Sequence, residues 1–204
     1  RPSGPRTATW PSTPARPAGE AVRAANSDLA FDACTAGSGA DVISLPAGTY
    51  TLALAGAGED AAATGDLDLT TDVTISGAGA GVTVVDGADL DRVLFVESGR
   101  TVLLQQLTLR NGTAAADSGG VVLSLGSLTV EDAVMRDGVA VSGGGLRQFG
   151  GALTLTRTAV LDNTTTSSGA GLLVRDANAT VTDCTFAGNV TGSSGGAIYA
   201  FHSG

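Results

Sequence analysis

LTVEDAVMRDGVAVSGGGLRQFGGALTLTRTAVLDNTTTSSGAGLLVRDANATVTDCTFAGN, residues 128–189, decides the fold. Within it Asp137, Asn163 and Asn189 each close a short apolar run, and Asn111 closes another (LTLRN) upstream, at successive spacings of 26 residues. Glycine clusters recur on nearly the same period, at Gly119–Gly120, Gly143–Gly145, Gly169/Gly171 and Gly195–Gly196. Apolar residues follow each cluster, at Val121–Leu123, Leu146, Leu172–Val174 and Ala197–Tyr199. A second alternating run, Leu128/Val130, Leu153/Leu155 and Ala179/Val181, has its earlier counterpart in Val102/Leu104. A third, Leu107/Leu109, Val134/Met135, Val160/Leu161 and Cys184/Phe186, precedes each Asn or Asp. Alternation over three to five residues reads as strand and is too short for amphipathic helix. Three such strands per repeat suit one coil of a parallel β-helix rather than a helical solenoid or a propeller blade.

Working outward, the composition fits the same fold. The chain has 204 residues, 30 Gly and 4% aromatics, so its core must be layered Val, Leu, Ile and Ala. Coils stack at about 4.8 Å with parallel hydrogen bonds between them, which places like side chains over like. Glycine supplies positive φ at sharp corners. Asn and Asp tolerate the same region and bond locally, which suits Asn111, Asp137, Asn163 and Asn189 as a corner ladder. The fold expected is all-β: a right-handed parallel β-helix of about six coils from residue 41 to 204, the last incomplete, with a short N-terminal capping helix.

Residues 1–19 hold five of the six prolines and read as a disordered or extraneous segment. Residues 20–40 read as a capping helix (EAVRAAN, 20–26, with Ala21, Val22 and Ala25 on one face) and a connection. The strands DVISL and TYTLAL open the β-helix.

The formal charge is −9, every basic residue is Arg, and no basic cluster interrupts the acidic balance. Nucleic acid is therefore not an expected partner. No apolar run reaches the roughly 18 residues of a membrane span, and no signal peptide is present, so an export signal would lie upstream. Cys34 and Cys184 make neither a disulfide framework nor a metal knuckle, and Cys184 reads as a buried thiol.

CTFAGN followed by GGAIY, that is Phe186-x-x-Asn189 with Gly195-Gly196-Ala197-Ile198, resembles the repeat of polymorphic outer membrane proteins. Upstream, EAVRAANSD, ADVISLPAGTYTL, GAGEDAAATGDLDLTTDVTISGAGAG and VVDG resemble the start of CSLREA-domain proteins, in which that motif precedes a β-helix. Glu20-Ala21 match the motif, while Arg-Pro-Ala-Gly (Arg16 to Gly19) stands where Cys-Ser-Leu-Arg is expected. The resemblance implies a bacterial extracellular or cell-surface protein. It assigns no activity.

Candidate sites are few. Parallel β-helices host pectate-lyase-type enzymes, which use clustered carboxylates for Ca²⁺ and Arg or Lys as base. Glu59, Asp60, Asp66, Asp68 and Asp72 form the nearest carboxylate group, and Asp66 and Asp68 are the candidate calcium ligands. The bland reading is a solvated acidic loop. Asp86, Asp89 and Asp91 with Arg92 read as a turn group, and GAGAG at 77–81 as a turn. His202, the only histidine, has no partner that would orient it as a base. The Asn-x-Thr sequons at Asn111, Asn163, Asn178 and Asn189 read as corner Asn followed by strand Thr. No catalytic residue and no other cofactor is assigned. A turn column Glu131–Arg157–Asp183 is expected on the outside. The closing GGAIYAFHSG should leave Ile198, Tyr199 and Phe201 beside an unpaired edge that invites end-to-end self-association. The function expected is a structural or adhesive surface module presenting stacked faces to a glycan or surface protein. The alternative is a carbohydrate-active enzyme of the β-helix class.

Overall fold

The computed structural model describes residues 7–9, 19–29, 40–54, 56, 62 and 64–203. They form a parallel β-solenoid of about five turns with coils of about 26 residues. Four sheets make its walls. The first runs Thr7–Thr9, Asp41–Leu45, Val73–Gly77, Thr101–Gln105, Ser127–Glu131, Ala152–Thr156 and Asn178–Thr182. The second holds Gly48–Thr51, Thr83–Asp86, Thr108–Arg110, Val134–Arg136, Ala159–Leu161 and Thr185–Ala187. The third is short: Thr113–Ser118, Val139–Ser142, Thr164–Thr165 and Val190–Thr191. The fourth holds Leu67–Leu69, Leu94–Val96, Val122–Ser124, Leu146–Phe149, Leu172–Arg175 and Ile198–Phe201. All pairings between neighbouring coils are parallel, as coil stacking requires. The third sheet adds a fourth strand to the three that the sequence shows per repeat. Pieces such as Thr164–Thr165 are two residues long, too short to carry an alternation.

Inward residues stack by kind. Leu94, Val122, Leu146 and Leu172 share one position of the fourth sheet and are 0–1% exposed. Leu104, Val130 and Leu155 do the same in the first sheet, and Leu109, Met135 and Val160 in the second. Each such side chain contributes about 1.5–3 kcal/mol by leaving water. Strand separation and alternation set this stacking, so aliphatic side chains suffice at these positions. The turn into the fourth sheet is held by Gly119, Gly143, Gly169 and Gly195, with φ between 63° and 74°. A Cβ on Gly169 would stand 2.8 Å from the Leu172 carbonyl oxygen, so glycine is required there on two counts.

The helix spans Gly19–Ser27 and buries Ala21, Val22, Ala24 and Ala25. Val22 closes the same apolar space as Ile43, Leu67, Ile75 and Leu94, over the N-terminal end of the core. Asn26 completes the cap. Its amide nitrogen donates to the Asp68 carbonyl at 2.6 Å and its oxygen accepts from Thr70 N–H at 3.1 Å. One side chain thus serves as the missing neighbour of the edge strand Leu67–Leu69. Within the Pro-rich segment, Thr7–Thr9 pairs in parallel with Val42–Ser44 and extends the first sheet by one strand. The remaining residues of 1–18, and Cys34, lie outside the described residues.

Coil length is not uniform. Val134 pairs with Ala159, 25 residues on, and Ala159 with Thr185, 26 on. One residue is lost between Ser127–Glu131 and Ala152–Thr156, because Leu128 pairs with Leu153. That loss decides which residues share a corner.

Candidate functional site

Asp66 and Asp68 flank Leu67 at the start of the first fourth-sheet strand. Asp66 is 6% exposed and Asp68 2% exposed. The Asp66 carboxylate lies 2.8 Å from Arg92 Nε. Asp68 accepts a hydrogen bond from Ala62 N–H at 3.2 Å. Asp91, also buried, accepts from Arg92 N–H at 2.7 Å. Burial, with Asp68 and then Asp91 adding repulsion, pushes Asp66 up to about 7 against the pull of Arg92. Asp72 is turned elsewhere and accepts from Thr101 N–H at the start of a first-sheet strand. Glu59 and Asp60 lie outside the described residues. Among the described residues, no three His, Cys, Asp or Glu side chains are grouped to hold a metal ion. The cation beside Asp66 in this structure is a guanidinium.

Asp86 belongs to a corner. Burial alone would raise its pKa, but bonds from Ala88 N–H, Asn111 and Arg110 outweigh it and hold the carboxyl below its usual range. His202 is exposed on the last coil, with Nδ1 3.3 Å from Asp176, whose carboxylate Ser203 also binds. Cys184 is half-buried against the core, and its thiol donates to the Thr182 carbonyl.

The four ladder residues fall into two adjacent positions. Asn111, Asp137 and Asp162 occupy one corner with φ of 54°, 56° and 54°, followed by Gly188 at 66°. Arg136 bridges Asp137 and Asp162 at 2.7 and 3.4 Å. Asn163 and Asn189 stand one residue further along, above Gly138. Asn163 is 0% exposed and accepts from Gly138 N–H at 2.9 Å. The same shift alters the turn column. Arg157 pairs with Asp132 at 2.7 Å, while Glu131 sits opposite Thr156. Arg157 and Asp183 both keep left-handed φ at equivalent turns.

The walls differ on their outer faces. The first sheet presents Thr74, Thr129, Thr154 and Thr180 in one column, interrupted by Leu103. The fourth sheet gathers rings and cations. Of five Phe and two Tyr in the chain, Phe95, Phe149, Tyr199 and Phe201 all stand here. Phe149, Arg175 and Phe201 share one outward position in three successive coils. The Arg175 guanidinium carbon lies 5.3 Å from one ring centroid and 5.5 Å from the other. Arg92 lies 5.9 Å from the Phe95 ring in the same way. Such contacts are worth about 0.5–1 kcal/mol each at exposed sites. Arg147 stands beside Phe149. It donates to Ser118 Oγ, and its Nε is buried without a hydrogen-bond partner. Among the described residues Arg147 has no carboxylate within ion-pair distance, although Arg92, Arg100, Arg110, Arg136, Arg157 and Arg175 all do. Burial lowers its pKa, with Asp117 opposing and Arg175 adding to the effect. The group was signalled by spacing, since 149, 175 and 201 are 26 apart, but a charged residue between two rings does not register as a hydrophobic repeat.

Among the described residues no helix is long and apolar enough to cross a membrane, which says nothing of β-barrels. Comparison of the chain with protein-family models, curated proteins and solved structures finds no match.

Proposed function

We propose that this solenoid is a structural and adhesive module of a secreted or cell-surface bacterial protein, coiled right-handedly and akin to CSLREA-domain and polymorphic outer membrane proteins. The observation that carries the reading is the fourth-sheet column Phe149–Arg175–Phe201. A chain with 4% aromatics and a formal charge of −9 places rings and guanidinium groups together on one open wall. Exposed aromatics beside Arg are the residues most enriched where proteins meet partners. A solenoid wall suits such contact because it offers length instead of a pocket. The test is binding of the folded 204-residue chain to glycan arrays and intact cell surfaces, beside a Phe149→Ser/Arg175→Ser double variant. Retention that falls with this variant and not with Thr154→Val supports the reading. Equal retention by all three overturns it.

A second reading rests on Asp66. A carboxyl that holds its proton to about pH 7 beside two other carboxyls has the character of a general acid. A carbohydrate-active enzyme of the β-helix class would use it so. Asp66 is 6% exposed and bound to Arg92, which leaves little room for a glycosidic oxygen. No turnover of polygalacturonate, alginate or xylan, with or without Ca²⁺, is expected. Turnover abolished by Asp66→Ala would promote this second reading over the first.

A further inference from the structure

We infer that the outer face of the fourth sheet binds an acidic polysaccharide whose carboxylates engage Arg147 and Arg175, an assignment that rests on the adhesive reading above.

Charge complementarity points to an anion. Arg147 and Arg175 stand on adjacent coils, two residues apart along the strand direction and so on the same face. They repel each other, Asp117 offsets that repulsion from farther off, and Arg147 has no carboxylate within ion-pair distance among the described residues. A partly exposed guanidinium without an ion pair gains from a ligand that supplies a charged acceptor. Arg175 is held between Phe149 and Phe201, which fixes its plane, and its Nε donates to Asp176 at 3.3 Å, so a ligand would engage its two terminal amino groups.

Repetition points to a polymer. Arg147 and Arg175 follow one another in adjacent coils, and Phe149 and Phe201 lie two strand spacings apart, about 10 Å. That is comparable with two sugar residues of an extended chain. A uronate chain repeats both features the wall offers: a carboxylate for each guanidinium, and the apolar C–H face of a pyranose for Leu123, Tyr199 and the phenyl rings. An acidic peptide repeats the charge without the ring faces, and it would seek a sheet edge or groove rather than an outer face.

Calorimetric titration of the folded 204-residue chain tests this, using polygalacturonate, fully methyl-esterified polygalacturonate and poly-L-glutamate as probes. Binding of the first is expected, weakened by roughly tenfold on esterification and by roughly tenfold in Arg147→Gln. Phe149→Ser, at an exposed position outside the core, should weaken it similarly, with the unfolding curve moved only by the lost contact with Arg175. Equal affinity for the ester removes the carboxylate assignment and leaves the adhesive reading standing. Equal affinity for poly-L-glutamate shows a plain anion surface and overturns the polysaccharide. No binding of either saccharide also overturns it, while array and cell binding separately decide the adhesive reading.

Discussion

Asn163 and Asn189 stack in consecutive coils so that the Asn189 side-chain oxygen accepts from both the main-chain N–H (3.0 Å) and the side-chain amide (2.9 Å) of Asn163. Asn189 in turn donates to the Val160 carbonyl at 2.8 Å. The pair is an internal hydrogen-bond ladder beside the corner, not the corner itself.

Asn163→Ala should therefore destabilise more than Asp137→Asn. It strips Gly138 N–H of its acceptor at a fully buried site, an effect of about 1–3 kcal/mol. Asp137 is a partly exposed member of the Arg136 network, and asparagine tolerates its φ of 56°, so losing the charge should cost less than about 1 kcal/mol. Denaturant unfolding of the two variants checks the order, and amide exchange should show lost protection at Gly138. The reverse order would remove the ladder from the account.

Asp66 makes stability depend on pH. Its folded pKa of about 7 lies above the ordinary 3.8, so the native state keeps a proton that the unfolded chain releases. Its contribution is fully present below about pH 4 and is lost as pH rises to about 7. The difference is about 4 kcal/mol over that range. Asp66→Asn should flatten the fall between those limits. Melting curves from pH 4 to 8 measure it, and identical pH profiles in the two proteins would contradict the assignment.

Asn26→Ala should open the N-terminal edge. The substitution frees the Asp68 carbonyl and Thr70 N–H, at an expected cost of about 1–2 kcal/mol. Hydrogen exchange should rise first at Thr70. Asn26→Asp keeps the acceptor for Thr70 but not the donor, and should recover part of the loss.

The 204-residue chain should associate as its concentration rises. Val181, Val190, Ile198 and Phe201 are 38–61% exposed on the last described coil, and the strands there pair with described residues on one side alone. Light scattering across a concentration series reads the mass. Ile198→Lys should suppress the association, and a strict monomer at millimolar concentration would refute it.

The repeat, the class of fold and the inward residues follow from the order of residues alone. Val102, Leu128 and Leu153 could be aligned by eye because alternation and a near-constant coil length are local properties of the chain. The helix over Ala21, Val22 and Ala25 was legible for the same reason. Tertiary structure alone decided the register. The backbone bonds between Ser127–Glu131 and Ala152–Thr156 join residues 25 apart, and this one-residue deficit hands the corner to Asp162 and sends Asn163 into the interior. It likewise gives Arg157 to Asp132 instead of Glu131. The burial of Asp66 was also beyond the sequence, since Arg92 and Asp91 reach it only when the coils stack. A period read from sequence counts residues per turn, whereas hydrogen bonding between coils fixes which residues meet, and a shortened turn changes the second while barely disturbing the first.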